Sequence, residues 1–290
     1  MTNGNRIASI CFAFDSPQVV CESSGTRTPW RAEHEAWLYL VYDSPDNDEG
    51  NPWEDKMKTI GLLGGMTWES TVNYYKFINQ GVKKALGGAH SAKIVMISVD
   101  FDSIARLQMT GEWLEAGRLL AEAAQKIQTA GADFLLICAN TMHKVLPQIE
   151  AAIDIPVIHI ADAAAEVLLR NGVKTAGLLG TAYTMEQDFY KARLKNMHGI
   201  DALIPNAEDR EIIHDVIYDE LDSGILNPAS KANYLEIIAK LASDGADAVI
   251  LGCTEIGILV NQDDTDVMLL DTTAVHAQKA VELAIQDVEA

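Results

Sequence analysis

The chain has 290 residues, 48% hydrophobic and 22% charged, a balance that supports one large or two modest cores and excludes disorder throughout. Its formal charge of −20 repels polyanions before contact, which argues against a nucleic-acid or acidic-membrane partner. No run reaches the roughly 18 apolar residues a bilayer span requires; the four cysteines, at 11, 21, 138 and 253, form no CxxC pair, so a reducing cytoplasm is the expected location.

Residues 1–56 differ from the rest. They hold Pro17, Pro29, Pro45 and Pro52, half of the eight prolines, and three of the five tryptophans. Ile7 to Phe14 is too short and too poorly flanked to serve as a secretory signal. Ser44 to Pro52 has the composition of a solvated linker, so residues 1–56 are expected to be a linker-like or disordered extension. The alternative is a lid or partner-binding arm using Trp37 to Tyr42.

From Met57 onward short β-rich runs alternate with helix-period segments, the pattern of βα units around parallel sheets. Strands are predicted at 58–63, 93–99, 133–138, 157–160, 174–179, 200–204, 247–252 and 267–270. The Trp113–Ala130 segment sets Leu114, Leu119, Leu120, Ala123 and Ile127 on one helical stripe and stops at Gly131; further stripes run through 184–197, 207–223, 229–243 and 273–287. The fold class is α/β: two pseudo-symmetric open α/β domains with mostly parallel sheets, the first from 57–160 plus 268–290, the second from 161–267. Ligands of such sheets sit at the carboxyl ends of strands, which places the site in the interdomain cleft.

The pseudo-symmetry is written in the residues. Lys58 to Gly64 recurs as Lys174 to Gly180, and Gly131-Ala132-Asp133 recurs as Gly245-Ala246-Asp247, each followed by an apolar run. Counted from the GAD glycines, Cys253 stands at 253−245 = 8 and Cys138 at 138−131 = 7, so the mate of Cys253 is Ala139. Side chains alternate along a strand, which assigns Cys138 to the core. Cys253, between a buried strand and a helix start, sits where N–H groups and the helix dipole favour the thiolate; with Gly252 before it and Thr254-Glu255 after it, it is the candidate acid/base. Asn140 and Thr141 offer an amide, a hydroxyl and backbone N–H groups resembling a carboxylate cradle. Gly61 to Thr67 fits neither dinucleotide nor P-loop spacing, so its glycines are expected to allow close approach to a small ligand, with Thr67 capping the next helix. His143, His159 and His276 lack metal-ligand spacing. Glu255 fits either a helix N-terminal acid or a substrate-ammonium contact. Gln108, by pattern alone, belongs to a loop.

Gly61 to Ser70, Asn140 to Lys144, Gly180 to Tyr190 and Gly252 to Glu255, in that order, resemble the aspartate/glutamate racemase family over 57–288, with the bacterial broad-spectrum or L-aspartate/glutamate-specific amino-acid racemases as the most similar branch. The resemblance implies an isomerase that is PLP-independent and needs no cofactor or metal, acts on a small amino-acid substrate between two pseudo-symmetric domains, and belongs to a family that often forms homodimers. It implies an acid/base pair flanking Cα, matched here by Cys253 and, at the opposing position, by Ala139, which carries no transferable proton. Met66, Gln108, Asn140, Thr141, Thr254 and Glu255 would line the pocket, joined by Thr181 and Thr184. A lysine that holds the distal carboxylate in other aspartate racemases falls at Glu211, which leaves a preference for acidic substrates unsupported. Two other readings keep a single thiol: a decarboxylase or lyase, and an amino-acid-binding pseudoenzyme.

Overall fold

The computed structural model describes residues 56–288 and, before them, the backbone of three short strands, β1 (Ser9–Phe12), β2 (Val20–Glu22) and β3 (Leu38–Val41). These three form an antiparallel sheet in the order β2-β1-β3, within a unit of its own, Met1–Asp55. The linker predicted at 44–52, and the remainder of the extension, lie outside the described residues.

Lys56–Ala290 forms the second unit, and all eight predicted strands occur in it. The first sheet consists of β4 (Ile60–Gly64), β5 (Ile94–Ser98), β6 (Phe134–Ile137) and β7 (Val157–Ile158), in the order β5-β4-β6-β7. The second consists of β8 (Thr175–Leu179), β9 (Asp201–Leu203), β10 (Ala248–Leu251) and β11 (Met268–Asp271), in the order β11-β10-β8-β9. Every pairing in both sheets is parallel. The central strands β6 and β10 are buried at every residue, as strands covered on both faces must be, which is why they read as unbroken apolar runs.

Helices cover both faces. In the first half these are α1 (Trp68–Leu86), α2 (Phe101–Thr110), α3 (Trp113–Thr129), α4 (Leu146–Glu150) and α5 (Ile160–Arg170); in the second, α6 (Ala182–Glu186), α7 (Asp188–His198), α8 (Ala207–Asp215), α9 (Pro228–Ser243), α10 (Ile256–Leu259) and α11 (Thr272–Ile285). On the first sheet Leu63, Leu135, Ile137 and Ala139 pack with α3 and α4, whereas Leu62, Phe134, Leu136 and Cys138 pack with α1 and α11. On the second, Leu179, Val249 and Leu251 pack with α8 and α9, whereas Leu178, Ala248 and Ile250 pack with α5 and α7. Each sheet therefore receives one helix that follows the last strand of the other. The division expected at 268 falls inside this exchange: α11 covers the first sheet, but Met268–Asp271 pairs with β10 in the second.

The GAD repeat has one structural task done twice. Asp133 exchanges bonds with Thr59, its N donating to the Thr59 carbonyl (2.8 Å) and its Oδ2 accepting from the Thr59 N (2.5 Å). Asp247 does the same with Thr175 (2.8 and 3.1 Å) and also accepts from the Lys174 N at 3.0 Å. The aspartate carboxylate thus caps backbone N–H groups at a strand start.

Three helix readings change. Leu114 points away from the core at 79% exposure, the buried stripe of α3 running instead through Ala116, Leu120, Ala124 and Ile127. The 184–197 stripe is broken at Gln187, whose extended backbone (ψ 156°) separates α6 from α7. The 207–223 stripe is α-helical only to Asp215; a π turn follows over Val216–Glu220, then a 3₁₀ turn over Leu221–Ser223 that ends at left-handed Gly224. Apolar periodicity reports which face is buried, not which carbonyl each N–H reaches, so a change of hydrogen-bond register leaves it nearly unaltered. Among the described residues no helix is long and apolar enough to cross a membrane.

Candidate active site

The carboxyl ends of the two sheets face a cleft lined by residues from both halves. From the first come Met66, Thr67, Phe101, Gln108, Ala139, Asn140, Thr141 and Met142; from the second, Thr181, Ile217, Tyr218, Asp222, Gly252, Cys253, Thr254 and Glu255. Of the residues expected to line the pocket, only Thr184 stands behind the wall, fully buried and hydrogen-bonded to Thr141 and Thr181 at 3.2 and 3.3 Å.

The β6 and β10 ends are superposable in register. β6 begins three residues after Gly131 and β10 three residues after Gly245, so Ala139 and Cys253 each stand eight residues beyond the glycine. Both pack on the corresponding helix face of their sheet, Ala139 towards α3 and Cys253 towards α9. Cys138, one residue earlier, lies on the opposite face in a solid apolar cluster with no exposure. Burial pushes its thiol far above the ordinary range, as expected for a sulfur that has lost water without gaining a cation.

Glu255 organises the β10 end. Its Oε1 accepts from Thr67 Oγ1 (2.8 Å) and Ser70 Oγ (2.6 Å), both from the first half, and its Oε2 accepts from Thr254 Oγ1 (2.6 Å) and Cys253 Sγ (2.9 Å). Ser70 and Thr254 also touch through their hydroxyls. Thr67 caps α1, its Oγ1 accepting from the Ser70 N at 3.4 Å, so the cap that starts the helix also holds the carboxylate. The expected tilt of Cys253 towards the thiolate is reversed: burial first, and then the charge of Glu255, raise its thiol well above the usual cysteine value. A four-residue α10 supplies little dipole, and a carboxylate in hydrogen-bond contact outweighs it.

The β6 end is built differently. Asn140 Nδ2 donates to Thr272 Oγ1 at 3.0 Å, and Thr272 Oγ1 donates onward to the Leu251 carbonyl at 2.8 Å, which orients the amide and leaves Asn140 Oδ1 buried without a partner. Thr141 meets Thr181 across the cleft at 3.0 Å. Gln108, predicted in a loop, is on α2 with its Nε2 on Met142 Sδ at 2.8 Å. Beneath the turn the three histidines, remote in sequence, assemble: the rings of His143 and His159 are 4.4 Å apart and those of His143 and His276 6.0 Å. His143 Nδ1 donates to the Ala139 carbonyl (2.9 Å) while its Nε2 accepts from the Ile160 N (3.2 Å). His276 bridges Tyr74 Oη and the Ile158 carbonyl, both at 2.8 Å. Burial lowers His143 to about 4 and His276 to about 3 and lowers His159 as well, so all three serve as neutral struts.

The glycine expectation at 61–65 is also corrected. A Cβ on Gly65 (φ +90°) would stand 2.3 Å from the Val99 carbonyl oxygen, one on Gly64 2.4 Å from Thr71 and one on Gly61 2.6 Å from Ile127. The close approach is to neighbouring chain, not to a ligand, and Gly65 N donates to Thr71 Oγ1 at 2.8 Å to close the turn.

A family model described as Asp/Glu/hydantoin racemase matches residues 63–280. The chain belongs to that family. The broad specificity amino-acid racemase RacX of Bacillus subtilis (strain 168) is 21% identical over 232 residues, 77% of this chain and 96% of its own length. A Yersinia pestis crystal structure provisionally assigned as an Asp/Glu racemase is 50% identical, with a TM-score of 0.75 over 79% of this chain and 100% of its own. PH1733, an aspartate racemase homologue from Pyrococcus horikoshii OT3, is 34% identical, with a TM-score of 0.69 over 79% and 99%. Placed on this racemase fold, the residues that motif reading missed are Thr67, Phe101, Met142, Ile217, Tyr218, Asp222 and Gly252. Thr67, Met142 and Gly252 lay inside quoted motifs. Ile217, Tyr218 and Asp222 reach the cleft on the π and 3₁₀ turns, for which the apolar pattern carries no signal.

Proposed function

We propose that the protein is a PLP-independent amino-acid racemase in which Cys253 exchanges the Cα proton and the opposing position, Ala139, contributes none. The observation that carries this reading is the cleft itself: Cys253 and Ala139 line it at equivalent strand ends, and only one has an ionisable atom. In this arrangement Cys253 rests as a thiol donating to Glu255. As base, it passes that proton to Glu255 and takes the Cα proton; as acid, it returns a proton to the same face. In this reading Asn140 Oδ1, buried without a partner, accepts from the substrate ammonium, and the backbone N–H groups of the turns opening at Asn140 and Cys253 hold its carboxylate. Delivery to the opposite face falls to water held by Asn140 and Thr141. Water is poorly matched in pKa and forfeits much of the 10²–10⁴-fold that a positioned side chain contributes.

The test is Cα-proton exchange in D₂O for a panel of D- and L-amino acids. Exchange from one enantiomer well ahead of the other, abolished in Cys253→Ser, is expected; no exchange from any amino acid rejects the reading. The missing opposing base also fits a single-thiol decarboxylase or lyase, which would release CO₂ or ammonia from the same panel extended to substituted malonates. Operation in the cytoplasm, and as a homodimer, belongs to the same proposal; cross-linking at micromolar concentration tests the second.

A further inference from the structure

We infer that Asp222 selects substrates whose side chain ends in a basic group, so that this cleft takes diamino acids in preference to acidic ones. The inference rests on the amino-acid reading above and names the substrate class for that site. The two carboxyl groups lining the cleft are in opposite situations. Glu255 is saturated by four donors from Thr67, Ser70, Thr254 and Cys253. Asp222 has no hydrogen bond or ion pair to any described residue; the groups acting on it are Glu255 and Glu69, both of its own sign. No lysine, arginine or histidine is among the described residues lining the cleft. An acidic side chain would therefore lose water without gaining a counter-charge, while a cation would meet an unpartnered carboxyl.

The approach to Asp222 suits a long basic side chain. Ile217 and Tyr218, on the same π and 3₁₀ segment, line the cleft with it, offering apolar cover for methylenes and leaving the charged head to the carboxyl. Independently of the acidic groups, Asn140, which lines the cleft, keeps a buried Oδ1 without a hydrogen-bond partner, an acceptor that a donor-bearing ligand would satisfy. Burial and the two neighbouring carboxylates push Asp222 up to about 7, a cost that an arriving cation relieves. The field of a chain with formal charge −20 favours the same choice.

Calorimetric binding and Cα exchange of lysine, its neutral analogue norleucine, and glutamate decide the matter on the wild type, Asp222→Asn and Asp222→Glu. At pH 8, lysine is expected to bind about tenfold more tightly than norleucine, and glutamate more weakly than either. The lysine-to-norleucine ratio should collapse to within about twofold in Asp222→Asn and be kept in Asp222→Glu. Tighter binding of glutamate than of lysine, an unchanged ratio in Asp222→Asn, or no binding of any of the three overturns the inference. Binding that follows the expected order without Cα exchange sinks the racemase reading alone; exchange confined to glutamate sinks the side-chain preference alone.

Discussion

The ends of β6 and β10 are the same piece of architecture filled in two ways. Both follow a glycine-anchored parallel strand, and both put residue +8 from that glycine on the cleft. At the β10 end a thiol, three hydroxyls and a carboxylate form one hydrogen-bonded cluster spanning both halves. At the β6 end a methyl occupies the equivalent slot; the Ala139 carbonyl is tied to His143, and the side chains of Asn140 and Thr141 are tied to threonine hydroxyls. On the proposed reading one end moves a proton and the other holds a shape, so that a single side chain at a repeated position separates chemical symmetry from fold symmetry.

The largest expected effect comes from removing the asymmetric atom. Cys253→Ser should lower Cα exchange by roughly 10²–10⁴-fold with an unchanged thermal midpoint; exchange within a factor of two of wild type would falsify the assignment. Restoring symmetry is the converse: Ala139→Cys should raise racemisation by on the order of 10²-fold, measured as interconversion of enantiomers by polarimetry, and no gain would mean that the β6 end lacks access to Cα.

Acid tests the β6 support. His143 is held neutral in the fold, about 4 against an ordinary 6.5, so below pH 6.5 the unfolded chain takes up a proton that the folded one refuses. The stabilisation is complete above 6.5 and is lost as pH falls towards 4, by about 3 kcal/mol for this residue, with His276 extending the loss towards 3. Urea midpoints at pH 7, 5 and 4 read this directly, and His143→Gln should flatten the upper part of the decline. Glu255→Gln probes the β10 cluster: with the neighbouring charge gone, the Cys253 thiolate should form at lower pH, by ultraviolet titration, while exchange drops roughly tenfold. An unmoved titration would show that burial alone holds the thiol. The smallest effect concerns Asp222. With its carboxyl pushed to about 7 it is neutral below and charged above, so the lysine-to-norleucine binding ratio should grow a few-fold between pH 6 and 8; a flat ratio would separate Asp222 from side-chain selection.

Much of this was legible in residues alone. The central strands could be placed because parallel strands buried on both faces are written as apolar runs, the outer four because they alternate with helical segments, and the out-of-register cysteines could be sorted because side-chain alternation continues through Ala139. The cleft residues carried by motifs, such as Asn140, Thr141 and Cys253, followed from strand ends. Leu114 went wrong because one apolar residue beside a true stripe is indistinguishable from a member of it. Thr184 was drawn to the cleft by its motif although Thr181 stands in front of it.

The residues by themselves determined the two parallel sheets, the family, and which repeated position lacks a sulfur, since these depend on local periodicity and on order along the chain. Tertiary structure alone decided that α5 and α11 cross between sheets, that three scattered histidines share one buried cluster, that the 3₁₀ turn after a π turn carries Asp222 to the cleft, and that burial and then Glu255 raise the Cys253 thiol. The physical reason is distance along the chain: Thr67 and Ser70 meet Glu255 across 188 and 185 residues, and both the burial and the charges that set an ionisation are sums over neighbours that no local pattern records.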